Sequence, residues 1–587
     1  MSMELIEPDR GRDRSSLLSD GLLDTARKEP PSGPRSRPVT SAPDNVDSAP
    51  RPEPGPEPDA EATNRLDGAS RLRVFAVILV VVLFAEIAAL QYTMVASAAR
   101  QIAPSFPGVG ANISWMVIIF GLVGGATTPL MGKLSDLWGK RRTMLLTGFS
   151  FALGTLVCAL THTWWVFLVG RALEAVAISA PTVAYGLFRD ILPRRYIPAS
   201  IGVIATGLGM SALAAPLIGG WLMDAHGWRW LFWFLLIFVG VMVPLMWLVV
   251  PESTLRTRQR LDIGGALLLG GGVGLVLVYL SNGTNWGWGR LDSLGYLLGG
   301  LAMLGAFLLV ERVVPEPIMD PRLLFSPRVL VILGAATLGS MVIGIQGYSI
   351  PYMLQTPTEQ QLHGSILQVA LSGGAGQTLP PAMAPLFHTL FNSTLAFGLG
   401  ASLLAYGYYS AVWSGGVGML SGAASGELAR KTGPRLPLVI AMAMFTLSTV
   451  LYAYFPHSKW QYGLFAAVFG IGFGAFYAAC PNLMIEAVPA RQQGISAGML
   501  GVVNSLATSV GTGALTAFLA GHALQVKVQI TGIPESTTGG FHPVPSLYGF
   551  GGYQDGLLLA AVCGALGLLV ALLMRHGRSP ATGGAGS

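Results

Sequence analysis

Fourteen segments of about twenty apolar residues recur along the chain, and their length constrains the fold more than any other feature. A helix of about twenty residues crosses a hydrocarbon layer of about 30 Å, because each residue adds about 1.5 Å along the helix axis. The segments cover residues 74–97, 113–131, 143–161, 164–187, 199–222, 229–250, 263–281, 293–310, 329–352, 395–422, 436–455, 461–485, 495–520 and 556–574. This pattern predicts fourteen membrane-spanning helices.

The composition agrees with that prediction. Hydrophobic residues make up 52% of the 587 residues and charged residues only 11%, which is far from the composition of a water-soluble domain. The three cysteines, Cys158, Cys480 and Cys563, lie in separate apolar segments and lack the spacing of a metal or redox pair. We therefore expect an all-α polytopic membrane protein.

The distribution of lysine and arginine predicts the orientation. If the N-terminus is cytoplasmic, twenty-one basic residues after residue 70 fall in cytoplasmic connections and five in outer ones. Cytoplasmic loops are enriched in basic residues, and an even number of helices places both termini on one side. We expect a multi-pass protein of the cytoplasmic membrane with both termini in the cytoplasm. The Gly- and Ala-rich composition, with Arg in excess of Lys, favours a bacterial source.

The first 70 residues differ in composition from the rest of the chain. They contain 11 of the 38 prolines, 9 basic residues and 14 acidic residues, and they lack an apolar segment. Such a composition cannot bury enough apolar surface to fold, so residues 1–70 are predicted to form a disordered cytoplasmic tail. Residues 579–587 are predicted to form a short cytoplasmic tail at the other end.

Two sequence motifs occur twice at nearly the same separation. GKLSDLWGKRR, which begins at residue 132, has a weaker counterpart in GELARKTGPR at 426, and DILPRRYIPASIG at 190 resembles EAVPARQQGISAG at 486. Both pairs fall in equivalent predicted cytoplasmic loops, which is typical of parallel repeats in transporters that work by alternating access. The predicted domains are a six-helix half over 71–250, an inserted helix pair with linkers over 251–325, and a second six-helix half over 326–578 with long outer loops at 355–394 and 521–554.

The motif at residue 132 resembles the G-x-L-[AS]-D-x-x-G-[RK]-[RK] loop of the major facilitator superfamily, and the fourteen-helix count resembles its drug:proton antiporter branch. This resemblance implies the major facilitator fold and a cytoplasmic gate in which charged residues pair in one conformation and separate in another. The gate residues that it implies are Gly132, Asp136, Gly139, Lys140, Arg141 and Arg142. In the second copy Arg430 replaces the acidic residue, so we expect a weaker gate there.

The fifth predicted helix resembles the antiporter motif of the same branch. Its sequence ATGLGMSALAAPLIGGWL carries Pro216, Gly219 and Gly220 at the matching positions, with Ala215 in place of a glycine. Small residues allow close helix approach and proline allows a bend. The alternative is a general small-residue packing face.

Three charged residues lie well inside predicted spans: Glu86, Arg171 and Glu174. Burying each costs about 2.5–3.5 kcal/mol on insertion scales, so a functional role is the first hypothesis. Glu86 lies about 18 Å from one end of its helix and Glu174 about 15 Å from the opposite surface. We expect Glu86 or Glu174 to carry an exchanged proton, with Arg171, three residues from Glu174, adjusting its ionisation. The alternative is a structural ion pair, which fits Arg171 and Glu174 better than Glu86.

The helix-one motif of the branch, L-D-x-T-[IV]-V-N-V-A-L-P, aligns with LQYTMVASAARQI, which places Gln91 where the family has aspartate. Glu86 is the candidate replacement for that acid. Polar residues in helices one and nine are candidates to line a substrate cavity, with interhelical hydrogen bonding as the alternative. They are Gln91, Tyr92, Gln346 and Tyr348.

The function that the resemblance implies is proton-coupled antiport of lipophilic or cationic drugs by alternating access. The alternatives are export of an endogenous amphiphile, such as a lipid or siderophore, and, more distantly, a ligand-sensing transceptor. The sequence lacks a P-loop and metal-binding spacings, so we expect no enzyme activity and no cofactor, with a proton gradient as the energy source. The expected partners are protons, a small amphiphilic substrate and membrane lipids. The long outer loops are candidates to cap the cavity or to contact a periplasmic partner, with tolerated insertions as the alternative. We expect a monomer and no nucleic-acid binding.

Overall fold

The computed structural model describes residues 66–580 except 257–260, 316, 373–377, 456–457, 490–492 and 532–539. Most of the predicted N-terminal tail, and the C-terminal tail beyond residue 580, lie outside the described residues. Residues 66–70 are described, and the backbone N–H of Leu66 donates a hydrogen bond to the carbonyl of Ile191 at 2.8 Å. The last residues before the first long helix are therefore attached to the first half.

Long helices account for most of the described chain. In order they are α1 Arg71–Ser97, α2 Gly110–Trp138, α3 Lys140–Leu160, α4 Trp164–Ile191, α5 Ile197–His226, α6 Arg229–Val249, α7 Ile263–Trp286, α8 Leu291–Glu311, α9 Pro327–Gln355, α10 Val412–Thr432, α11 Arg435–Tyr454, α12 Lys459–Ala487, α13 Gln493–Gly521 and α14 Phe550–Leu573. Shorter helices cover Ala99–Ile102, Pro321–Leu324, Glu359–Leu371 and Leu403–Tyr406, and a π-helical turn covers Gly407–Ala411.

In the part of the chain that the structure describes, twelve helices are long and apolar enough to cross a membrane. The other two long helices are α5 and α10, so fourteen crossings stay a prediction. The predicted segment 395–422 is displaced, because helix begins at Leu403 and α10 continues to Thr432. The sequence SGAASGE at 421–427 is rich in Gly, Ala and Ser, so its hydropathy is low and the apolar window ended too early.

The helix pairs that bring the halves into contact include α2 with α13, α5 with α10, and α1 with α9. Small residues set the spacing between them. A Cβ added at Gly125 of α2 would lie 3.1 Å from the side chain of Leu506, and one added at Gly415 of α10 would lie 2.7 Å from the backbone nitrogen of Leu213. The pair α7 and α8 pack on each other, and α7 also contacts α2 and α13.

A three-stranded antiparallel sheet lies at one end of the helix bundle. It consists of β1 Phe387–Phe391, β2 Ala523–Ile530 and β3 His542–Tyr548, in the order β1-β2-β3, and Thr389 of β1 pairs with Val528 of β2. The sequence predicted only long outer loops here. β3 contacts the segments Ala103–Ser105 and Gly110–Ser114 of the first half. We refer to this end as the sheet end, and to the opposite end, which contains Gly139, as the basic end.

Candidate functional site

The carboxylate of Glu174 lies at the centre of a buried polar cluster in the first half. Its Oε2 accepts hydrogen bonds from Arg171 Nη1 at 2.5 Å and Gln91 Nε2 at 2.6 Å, and its Oε1 accepts one from Thr155 Oγ1 at 2.8 Å. All four side chains are fully buried. Arg171 and Glu174, three residues apart on α4, form an ion pair, and the cluster joins α1, α3 and α4.

Arg171 extends the cluster to α2. Its Nε donates to the carbonyl of Met116 at 2.8 Å, and its guanidinium carbon lies 4.8 Å from the centroid of the Phe120 ring. Its Nη2 has no hydrogen-bond partner among the described residues. A buried charge is tolerated when a partner and hydrogen bonds compensate its desolvation, and this arrangement supplies both.

Glu86 occupies a separate environment between α1 and α5. Its Oε2 accepts a hydrogen bond from Ser211 Oγ at 2.9 Å, whereas its Oε1 has no partner among the described residues. Gly207 makes room for it, because a Cβ at Gly207 would lie 2.8 Å from the Cγ of Glu86. The regular helix is interrupted at Glu86, between Ala85 and Ile87. The structure therefore does not join Glu86 and Glu174 in one cluster.

The four candidates for lining a cavity divide into two groups. Gln91 is bonded to Glu174, and Gln346 Nε2 donates to Ser448 Oγ at 3.2 Å within the second half, so both make interhelical hydrogen bonds. Tyr348 is buried beside Tyr352, with 5.7 Å between their ring centroids.

Tyr92 faces the second half of the chain. Its ring centroid lies 6.0 Å from that of Phe120, and Tyr477 of α12 is within electrostatic range of its hydroxyl. The hydroxyl of Tyr92 is buried and has no hydrogen-bond partner among the described residues. Of the four candidates, Tyr92 is therefore the one placed between the halves with a free polar group.

The predicted gate motif lies at the basic end, and its partners belong to the first half and the segment after it. Lys140 Nζ lies 2.9 Å from Asp136 and 2.9 Å from Asp190 at the end of α4. Glu252, just after α6, accepts hydrogen bonds from the backbone nitrogens of Arg141 at 3.0 Å and Arg142 at 3.1 Å. A carboxylate at the first turn of α3 is favoured by the free N–H groups and the helix dipole.

The backbone at Gly139 explains why glycine occupies the junction of α2 and α3. Its φ of +123° is one that L side chains rarely adopt, and a Cβ there would lie 2.6 Å from Arg256 Nη2 and 2.8 Å from Glu252 Oε1. The gate residues predicted from the sequence did not include Asp190, Glu252 or Arg256. For Glu252 the available signal was an acidic residue shortly after a predicted helix, in a basic connection. At Gly132, by contrast, an added Cβ would meet no atom within 4 Å.

The second copy of the motif has a different geometry. Glu427 pairs with Arg430 at 3.0 Å and Lys431 at 3.4 Å on one helix, and all three side chains are about half or more exposed. These contacts are local, whereas the first copy joins separate elements. A weaker gate in the second copy stays a prediction.

The small residues of α5 permit close approach to both halves. Pro216 lies inside the helix. A Cβ at Gly219 would lie 3.0 Å from Met94 of α1, and one at Gly220 would collide with the backbone of Leu404 and lie 2.8 Å from its Cβ. Gly220 thus allows contact between the halves.

Comparison with known proteins places the chain in a family. The sequence profile of the Major Facilitator Superfamily matches residues 76–512, which is more than half of the chain. The chain belongs to the Major Facilitator Superfamily. Members of this superfamily are transporters, and the chain is a multi-pass membrane protein.

Relatives in the superfamily come from bacteria and fungi. The uncharacterized MFS-type transporter Rv1877 of Mycobacterium tuberculosis is 30% identical over 41% of this chain and 37% of its own length. The Bacillus subtilis protein YfiU is 25% identical over 71% of this chain and 74% of its own length. Multidrug resistance protein 3 of Bacillus subtilis is 24% identical over 54% of this chain and 63% of its own length. The chain therefore spans about half of the length, or less, of several of these relatives, including Rv1877.

Solved structures of two transporters share the fold. A peptide transporter of the POT family has a TM-score of 0.52 at 12% identity and covers 88% of this chain and 98% of its own. A D-xylose-proton symporter has a TM-score of 0.52 at 12% identity and covers 87% of this chain and 99% of its own. At this identity the likeness concerns the fold alone.

Proposed function

We propose that this transporter is a proton-coupled antiporter that exports lipophilic or cationic drugs across the cytoplasmic membrane by alternating access. The observation that carries the proposal is a pair of buried carboxylates with different partners, Glu86 against α5 and Glu174 within its hydrogen-bonded cluster. The names of relatives also support it, since they include a multidrug resistance protein and MFS-type efflux pumps.

The two carboxylates suit different roles. Glu174 accepts hydrogen bonds from three side chains, so its ionised form is well satisfied and it holds α1, α3 and α4 together. Glu86 has one hydroxyl donor and one unpartnered oxygen, and it faces α5, which contacts the second half. A movement of α5 changes the surroundings of Glu86 directly. Glu86 is therefore the better candidate to exchange the proton, with Arg171 and Glu174 as positioning residues.

The proposed substrate site lies between the halves, next to Tyr92. The ring of Phe120 lies near that of Tyr92, Tyr477 of the second half is within electrostatic range of its hydroxyl, and aromatic faces attract lipophilic cations. The halves are in contact toward the sheet end, where Thr516 of α13 donates to Ser114 of α2 at 2.7 Å and Gln355 of α9 donates to the carbonyl of Ser97 at 2.8 Å. We infer that substrate enters from the basic end, which is the cytoplasmic side in the predicted orientation.

Proton release from acid-loaded inverted vesicles tests the proposal. A panel of lipophilic cations is added to vesicles that contain the wild type, Glu86→Gln or Glu174→Gln, with Glu427→Gln as a control for loss of an exposed carboxylate. We expect cations to trigger release from the wild type and the control, and Glu86→Gln to abolish it. Unchanged release from Glu86→Gln and Glu174→Gln alike would reject both carboxylates as the coupling site.

The same assay separates the proposal from the alternative of amphiphile export. Lipids and siderophores are added to a second set of the same vesicles. If a lipid triggers release and no cation does, drug antiport is wrong and the amphiphile is the substrate.

A further inference from the structure

Two carboxylates meet outside the polar cluster described above, at the basic end of the helix pair α7 and α8. Asp262 directly precedes α7 and Glu311 is the last residue of α8. Both are buried, with 7% and 2% of their surface exposed. They belong to the inserted pair predicted between the two six-helix halves.

Each carboxylate has one oxygen bound to the backbone. Oδ1 of Asp262 accepts a hydrogen bond from the N–H of Gly265 at 2.8 Å, which caps the first turn of α7. Oε2 of Glu311 accepts one from the N–H of Met319 at 3.1 Å, in the linker after α8. These bonds fix the orientation of both carboxylates.

The other two oxygens face each other. Oδ2 of Asp262 and Oε1 of Glu311 are both buried and have no donor among the described residues. A Cβ added at Gly265 would collide with the first and lie 2.7 Å from the second, so both oxygens border the same small space. Both oxygens lie within 2.7 Å of that one position, so the two carboxylates are close neighbours.

No basic side chain neutralises the pair in the part of the chain that the structure describes. Arg312 and Asp320, which are near the pair in sequence, form no ion pair with either carboxylate among the described residues. Lys133 is on α2, which packs against α7, and it has an interaction partner of its own. Arg258 and Arg260, which precede Asp262, lie outside the described residues. Within the described ranges, no further His, Cys, Asp or Glu joins the pair to make a metal-binding group.

Two ionised carboxylates cannot share a buried site without a counter-charge, and two acceptors form a hydrogen bond only when a proton lies between them. We propose that Asp262 and Glu311 together bind one proton, which forms a carboxylic acid–carboxylate hydrogen bond. The inserted helix pair then carries a proton-binding site separate from Glu86 and Glu174. The bound proton links the start of α7, the end of α8 and the linker that leads to the second half. The inference does not depend on which substrate is transported.

Infrared spectroscopy of the full-length protein in lipid nanodiscs tests the proposal. The measured quantity is the absorbance of the carboxylic-acid C=O stretch, identified by its shift in heavy water, for the wild type, Asp262→Asn, Glu311→Gln and the double variant. Each amide side chain keeps the shape of the acid and supplies an N–H in place of the proton, so the variants should fold, which size-exclusion chromatography checks. Glu427→Gln is the control.

We expect each single variant and the double variant to lose the intensity of one carboxylic acid, because the pair holds one proton. The control should lose none. A double variant that loses twice the intensity of the singles would show that each carboxyl holds its own proton. No loss in any of the three variants would show that both groups are ionised. Either result overturns the proposal.

Discussion

Replacing Glu252 with glutamine should destabilise the basic end of the first half. In the structure the two carboxylate oxygens of Glu252 accept hydrogen bonds from the backbone nitrogens of Arg141 and Arg142. Glutamine offers one oxygen, so it preserves one bond and turns an N–H donor toward the other backbone nitrogen. The guanidinium groups of Arg141, Arg142 and Arg256, each 3.9 to 4.0 Å from Glu252, also lose their counter-charge.

The magnitude follows from these contacts. Loss of one hydrogen bond to a charged acceptor costs about 1.5–3 kcal/mol. Loss of a negative charge at a helix N-terminus costs about 0.3–1 kcal/mol. The three ion pairs lie at the limit of contact distance and are partly exposed, so we assign them nothing further. The sum is about 2–4 kcal/mol for Glu252→Gln.

Thermal unfolding of the detergent-solubilised protein at one fixed scan rate measures the effect. The matched control is Glu427→Gln in the second copy of the motif, where the two ion pairs are exposed and contribute about 0–1 kcal/mol. The shift in Tm per kcal/mol becomes smaller as chains become longer, and for a chain of this length we take it as about 1–2 °C. Glu252→Gln should therefore lower Tm by roughly 2–8 °C. The control should move it by no more than roughly 2 °C. If the control lowers Tm as much as Glu252→Gln does, the capping explanation is refuted.

Two further predictions concern the sheet end. Gly220→Val should force α5 away from Leu404, at a cost of about 1–3 kcal/mol, and should raise the labelling of a cysteine placed between the halves. The control is Gly240→Val, because a Cβ at Gly240 meets no atom within 4 Å. Equal labelling of the two variants would contradict the prediction. Tyr352→Phe removes the hydrogen bond from its hydroxyl to the carbonyl of Ser546 at 2.9 Å, a loss of about 0.5–1.5 kcal/mol. Amide hydrogen exchange in β3 should then become faster, and unchanged exchange would show that this bond does not hold the strand.

Hydropathy predicted most of the helices because a spanning helix must be apolar along its length. Hydropathy misplaced the tenth helix, because α10 contains Gly and Ser at 421–426 and packs closely against α12. A small residue permits close packing inside a protein but scores as polar or neutral in a hydropathy window. Composition alone therefore does not tell whether a helix packs inside the protein or faces lipid.

The sites were predictable only where the interaction is local. Arg171 and Glu174 are three residues apart on one helix, and their pairing could be inferred from spacing. Gln91 lies 83 residues from Glu174, and Glu252 lies 111 residues from Arg141, so these contacts depend on helix packing that one sequence does not specify. The sheet was missed for the same reason, since β1 pairs with β2 across more than one hundred residues.

The strand order has a mechanical consequence. β1 precedes α10, whereas β2 and β3 lie between α13 and α14, so backbone hydrogen bonds fasten two distant connections of the second half to each other. At the sheet end, α10 and α13 cannot swing apart independently without breaking that ladder. The second half is thus expected to move as a rigid unit. An opening at the sheet end then separates β3 from the segments of the first half that it contacts.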